Sequence, residues 1–319
     1  MRLEPIAPAE YVRAVLPYSQ TLWAGSRSFD AYVDEFRAIA ASAWGRRRFR
    51  TIGLYLDGAL VASLKRYERV LRCGERTFRA AGIGAVFTPE PLRARGYATA
   101  LLGAFLDAER AGGTDVAYLF SDIGPRFYEQ LGFIALPSRT IALRSEGLSS
   151  ARIDAEPLQG GDAGALRAAF EALDRRRPFA FARTPLDWEW QRLRATSREH
   201  AGQPVCLGVR RGRSIAAYVL GRRVPSADAF VLDELGYTRD EDALTIAPLL
   251  RAAAGDLRRV QGPLPPQPAR LALPRGAVRA RHDAIPMLLP LSAAFRAAHR
   301  RTAPSIAPDA GVCWSTDHV

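Results

Sequence analysis

The stretch Ala85-Val-Phe-Thr-Pro-Glu-Pro-Leu-Arg-Ala-Arg-Gly-Tyr-Ala-Thr-Ala-Leu-Leu102 constrains the fold more than any other part of the chain. An apolar run ends at Pro89 and Pro91, which cannot donate to a strand ladder and therefore stop pairing there. Beyond Gly96 comes a run of helix formers whose apolar face is Leu101, Leu102, Phe105 and Leu106, closing at Gly112-Gly113. A loop that feeds a strand into a helix in this way aims the unpaired N–H groups of the first helical turn at one point. The helix macrodipole adds positive potential there. Within Arg93-x-x-Gly96-x-Ala98, Gly96 permits a tight turn, small Ala98 leaves room above the first turn, and Arg93 and Arg95 supply charged donors. A diphosphate fits such a cradle, formed by Arg93, Ala94, Arg95, Gly96, Tyr97, Ala98 and Thr99. The chain has no Gly-x-x-x-x-Gly-Lys-Ser/Thr, and no Gly-x-Gly-x-x-Gly follows a strand, so P-loop and dinucleotide folds are set aside.

Around this junction the patterns predict an α/β sandwich. Phe29, Tyr32, Val33, Phe36 and Ile39 recur at helical spacing after the N-cap candidate Ser28, giving a helix toward Trp44 that stops at Gly45. Strands Ile52–Leu56 and Leu60–Leu64 flank the hairpin signal Asp57-Gly58, and a further strand covers Phe78–Phe87. Val116–Phe120 reads as a strand in the covered middle of a sheet, followed by a short helix Pro125–Leu131 and a strand Phe133–Leu136. Small residues, Ser, Gly and Pro dominate 147–164, which marks a connection between a domain over 1–146 and one over 165–319. The second part repeats the plan: the hairpin Val205–Val219 can be laid beside Ile52–Leu64, with a strand Phe230–Leu235 and a helix Ala243–Ala253 after it. Its junction, Gly236–Asp242, carries three acids in place of a glycine-rich loop, so the second copy is expected to bind no cofactor.

Composition narrows the partners. The formal charge is +12, yet Lys65 is the sole lysine and the arginines are scattered among alanines. The clusters Arg46–Arg48 and Arg175–Arg177 lack interleaved aromatics, which argues against nucleic acid. No apolar run approaches the roughly eighteen residues that cross a bilayer, and the start has no signal-peptide core, so a soluble cytoplasmic protein is expected. Three cysteines, far apart in sequence, and four histidines show no metal-ligand spacing, so no metal is expected. The oligomeric state is left open.

Taken together, Ala81–Phe133 resembles the core of the GNAT superfamily of N-acyltransferases. The matching parts are the strand Ile83–Phe87, the loop Arg93-x-x-Gly96-x-Ala98, the helix and strand after it, and Phe127-Tyr128-Glu129-Gln130-Leu131-Gly132-Phe133. The resemblance implies a GNAT-type mixed central sheet flanked by helices, with a second, degenerate GNAT-like α/β domain. It implies acetyl-CoA as co-substrate, and a primary amine of a small molecule or peptide as acceptor. On the same basis the backbone groups of Val86, Phe87 and Thr88 would pair with the pantetheine arm, and Arg93 through Thr99 would hold the pyrophosphate. Tyr128 matches the position whose phenol protonates the departing thiolate. A non-catalytic CoA-binding protein that keeps the fold is the alternative.

No base is singled out by the residues. Asp122 and Glu90 are candidates by position. The tail Cys313-Trp-Ser-Thr-Asp-His-Val319 is similar to the termini of two-domain GNAT proteins, including Eis-type and fungal lysine N-acetyltransferases, where it turns back toward the first domain. That makes the Val319 carboxylate a catalytic candidate, with Asp317 and His318 beside it. Acceptor choice is expected to lie in Trp23–Arg27, Phe179–Trp190 and this tail.

Overall fold

The structure is a computed structural model that describes residues 1–177, 179–199, 202–264, 268–302 and 314–318. Strand β1 (Arg2–Ile6) leads into helices α1 (Pro8–Ala14), α2 (Leu16–Trp23), α3 (Phe29–Ala41) and α4 (Ala43–Arg48). Ser28 caps α3, accepting from the Ala31 N–H at 3.2 Å. The single helix expected here is broken at Ser42, whose extended backbone ends α3 and whose hydroxyl accepts from the Gly45 N–H at 2.8 Å. Gly45 is therefore inside α4 and not a stop. It is glycine because a Cβ would lie 1.9 Å from the Ile39 carbonyl oxygen.

The hairpin at Asp57-Gly58, both residues at positive φ, joins β2 (Phe49–Leu56) to β3 (Ala59–Cys73). After β4 (Arg76–Phe87) come α5 (Tyr97–Ala111), β5 (Val116–Ser121), α6 (Arg126–Glu129), β6 (Ile134–Ala135) and β7 (Arg139–Arg144). The later part contains β8 (Ala155–Pro157), α7 (Ala163–Asp174), β9 (Phe179–Ala182), α8 (Pro185–Glu199), β10 (Gln203–Arg211), β11 (Ser214–Val224) and β12 (Ala229–Tyr237). It closes with α9 (Ile246–Ala254), β13 (Arg259–Pro263), β14 (Val278–Ala280), β15 (Ile285–Pro290) and α10 (Ala293–Thr302).

Two sheets of the same plan result. One runs β1-β2-β3-β4-β5-β15-β6, the other β8-β10-β11-β12-β13-β7-β14. In each, the fourth and fifth strands pair in parallel, with α5 or α9 between them in the chain, and every other neighbour is antiparallel. The sixth place is exchanged. β15, from the chain's end, lies against β5, and β7, from before residue 147, lies against β13. β3 extends to Cys73 and not to Leu64 as expected because its pairing with β4 continues to Cys73↔Arg76, and its far end pairs with β9 as well.

A division at 147–164 therefore does not follow the sheets, and β8 within that stretch is itself an edge strand. The physical reason is that the open edge of β5 is satisfied by β15. α5 buries Leu101, Leu102, Phe105 and Leu106 against Leu64, Ile83 and Leu119 of the first sheet and Met287 of β15. α9 buries Leu249 and Leu250 against Tyr218, Phe230 and Val260 of the second. Trp44 of α4 stacks on Trp190 of α8 at 4.8 Å, joining the two halves beside the first sheet.

Candidate active site

The site begins where β4 leaves its neighbours. Its pairing with β5 runs from Ala80↔Val116 to Ile83↔Leu119 and stops, although both strands continue. On the β3 side the register passes from Lys65↔Gly84 to Ser63↔Phe87, so Ala85 and Val86 together oppose Leu64. This is a β-bulge, and Ala85 takes φ +47° to make it. A non-glycine residue in the left-handed region costs roughly 1–2 kcal/mol, so the surrounding sheet must over-determine it. The result is an end of β4 whose backbone groups are re-aimed and open on the β5 side. Phe87 turns its ring into the core beside Trp23, at 6.2 Å. Thr88 follows, its carbonyl accepting from Arg93 Nε at 3.3 Å.

The loop after it has the cradle geometry. Ala94 (φ +60°) and Gly96 (φ +78°) are both left-handed. Gly96 is the N-cap of α5 and no side chain caps it; the first intrahelical bond runs from Ala100 N–H to Gly96 O at 2.9 Å. The N–H groups of Tyr97, Ala98 and Thr99 thus have no acceptor within the helix. Exposed Arg93 and Arg95 precede them. A Cβ on Gly96 would meet nothing within 4 Å, so glycine serves the turn's φ and not a lack of room.

Beside the open end of β4 is a cavity of about 340 Å³, bounded by α2, α3, β3, β4, the segment after β5, and α8. Tyr128 and Asp122 line one side of it. The Tyr128 phenol is pushed above its ordinary range by burial and then by the charge of Asp122. Trp23, Arg27 and Trp190, from two of the segments expected to choose the acceptor, reach the same cavity. Glu90 sits in a 3-10 turn, Glu90–Leu92, exposed and outside the lining. Sequence reasoning did not single out Tyr32, Glu35, Lys65, Tyr67 and Arg194, all of which line it. Arg27 and Glu35 form an ion pair. Lys65 is lowered to about 8 by burial, then by Arg27 and Arg194. The isolation of one lysine among so many arginines was the signal available for it.

The tail returns to this place. The His318 carbonyl accepts from Arg194, and its ring lies 4.2 Å from that of Phe120; both partners line the cavity. Thr316 Oγ1 donates to Glu234 Oε2 at 2.6 Å, and its carbonyl accepts from Gln191 Nε2 at 2.5 Å. Asp317 is buried, with Oδ1 3.2 Å from Nη2 of both Arg69 and Arg183. Those pairings occupy its carboxylate and remove it from the candidate bases. Val319 lies outside the described residues.

Residues 10–135 match the acetyltransferase (GNAT) domain family. Over these residues the chain is similar to GNAT acetyltransferase domains. A lysine acetyltransferase of Yarrowia lipolytica is 27% identical over 176 residues, which are 47% of this chain and 45% of that protein. The match thus spans less than half of the curated relative. Among solved structures, a GCN5-related N-acetyltransferase from Anabaena variabilis superposes with a TM-score of 0.71 at 15% identity, covering 91% of this chain and 73% of that one. Eis1 from Mycobacterium abscessus gives 0.64 at 20%, covering 93% and 76%. The shared architecture includes both sheets, so the second half is a GNAT-like α/β domain as well. There the place of the phosphate cradle is occupied from within: Thr238 Oγ1 and the Arg239 N–H donate to Asp242 Oδ2 at 2.8 and 3.0 Å.

Proposed function

We propose that this chain transfers an acetyl group from acetyl-CoA directly to a primary amine of a small molecule or peptide. The observation that carries the reading is the bulged, half-unpaired end of β4, with the Gly96 cradle following it in the chain and a cavity containing Tyr128 beside it. The N–H groups of Tyr97, Ala98 and Thr99, with Arg93, Ala94, Arg95 and Gly96, would hold the pyrophosphate. The open backbone of Val86, Phe87 and Thr88 would pair with the pantetheine arm like a short added strand. The acetyltransferase relative supports an amine as acceptor.

The residues then have distinct tasks. The backbone N–H groups released by the bulge at Ala85 receive the charge that develops on the thioester oxygen. Holding the amine in the adjoining cavity supplies the proximity that direct transfer needs. As the C–N bond forms and the C–S bond breaks, the Tyr128 hydroxyl donates its proton to the departing sulfur. Asp122, exposed at the same end of the cavity, takes the proton that the amine must lose, through water. The full chain, incubated with acetyl-CoA and a panel of amines, is expected to release free thiol. Tyr128→Phe should lower kcat about 10²-fold with CoA binding retained. CoA binding without thiol release from any amine would refute transfer.

A further inference from the structure

Lys65 stands on β3 opposite Gly84, next to the bulge, and its side chain lines the cavity. Its Nζ is 5.8, 5.9 and 5.6 Å from the ring centres of Tyr11, Tyr32 and Phe36. Electron-rich faces at these distances favour the charged ammonium. Two buried cations elsewhere have carboxylates: Arg69 has Asp187 and Asp317, and Arg183 has Glu234 and Asp317. Among the described residues no carboxylate lies within ion-pair distance of Lys65. Of the two carboxylates on the cavity, Glu35 is engaged by Arg27, and Asp122 stands with Tyr128, accepting from the Ala284 N–H at 3.1 Å. Arg194, on the same cavity, is held by the His318 carbonyl and lies over the Trp190 ring at 5.0 Å. A half-buried ammonium without a counter-ion is costly, and the neighbouring guanidinium groups of Arg27 and Arg194 add to the cost.

We propose that Lys65 is a carboxylate-binding subsite of this cavity, and that the substrate brings the counter-ion. The proposal rests on the acyl-transfer reading of the cavity. The carboxylate has two sources. One is the acceptor, an amino acid or a peptide with its C-terminus free; the other is the acyl group, a dicarboxylic chain such as succinyl carried on CoA. A polycationic amine does not suit this wall, because Lys65, Arg27 and Arg194 repel it.

The test compares pairs that differ only in the carboxylate. With acetyl-CoA, thiol release is measured for an amino acid and its amide. With a neutral amine, it is measured for succinyl-CoA against acetyl-CoA. Each pair is run on the wild type, Lys65→Met and Lys65→Arg. A charge-assisted hydrogen bond corresponds to a preference of roughly 10- to 100-fold in kcat/KM for the carboxylate member. Lys65→Met should bring the ratio toward one, and Lys65→Arg should restore part of it. A preference in the first pair assigns the carboxylate to the acceptor, and one in the second assigns it to the acyl group. Calorimetric binding of an N-acetyl amino acid against its amide reads the same preference without turnover. A protein that binds CoA, releases no thiol and still prefers the acid refutes transfer and supports the subsite. The proposal is overturned if the wild type treats both pairs equally, or if Lys65→Met lowers both members alike with the ratio unchanged. It is also overturned if intact mass after exposure to acetyl-CoA shows Lys65 stoichiometrically acetylated, which would make it a nucleophile.

Discussion

Asp317 is the residue through which the tail is fixed, and its replacement by alanine can be sized from the contacts. Its side chain is 2% exposed, and both guanidinium groups it touches, those of Arg69 and Arg183, are 1% exposed or less. Removing one member of a buried pair typically costs about 3–5 kcal/mol, because the other charge is left uncompensated. Here each arginine keeps a second carboxylate: Arg69 Nε is 3.5 Å from Asp187, and Arg183 Nη2 is 2.6 Å from Glu234. The loss should therefore fall at the low end, about 3 kcal/mol. At roughly 2 °C per kcal/mol for a chain of this size, Tm should drop by about 6 °C, with Asp317→Asn between the two. Scanning calorimetry on the full chain measures it. Function should change in a particular direction as well. Thr316 and His318 are held against Gln191, Arg194 and Phe120, so loosening the tail should raise KM for the amine more than KM for acetyl-CoA. A Tm within about 1 °C of wild type would mean a cost below roughly 0.5 kcal/mol and would refute the counter-ion reasoning.

Gly96→Val places a β-branched side chain at φ +78° in open space, so its effect is backbone strain alone. Acetyl-CoA binding by calorimetry should weaken roughly 10-fold for about 1.4 kcal/mol of strain, and by less for Gly96→Ala. Because burial and then Asp122 raise the Tyr128 pKa, the phenol stays protonated beyond the usual tyrosine titration near 10. The alkaline side of the kcat profile should thus show no loss from Tyr128 below about pH 10; a limb well below that, absent in Tyr128→Phe, would contradict the assignment. A fragment of residues 1–146 lacks β9 and β15 and leaves the edge of β5 bare, so it should aggregate. A monomeric, folded fragment by size exclusion would count against the exchange of strands.

What was legible in the sequence is what is decided locally. Pro89, Pro91 and Gly96 act through their own φ restrictions and missing donors, so the β4–loop–α5 junction could be read without knowing its neighbours. The hairpin at Asp57-Gly58 is of the same kind. The break at Ser42 was hidden because glycine usually ends helices, whereas Gly45 here avoids a clash with Ile39 and donates to the Ser42 hydroxyl. The extension of β3 past Leu64 was hidden by charge. Arg69 in its middle reads as a surface residue, and only Asp187 and Asp317, far along the chain, make it a fully buried one.

The exchange of β7 and β15 could not be read at all, because a strand offers the same main-chain hydrogen bonds to either sheet and only packing chooses between them. That exchange bears on why a second copy without a cradle persists. Asp242 has filled its anion site from within, yet β15 closes the sheet beside β5, β9 extends it along β3, and α8 brings Trp190 and Arg194 to the cavity. The tail adds His318 over Phe120. The later half of the chain therefore adds Trp190 and Arg194 to one wall of a cavity that the first half otherwise lines, whereas the cradle of Arg93–Thr99 lies wholly in the first half. Replacing Trp190 or Arg194 should then alter which amine is taken while leaving the proposed acyl-CoA contacts along β4 and α5 in place.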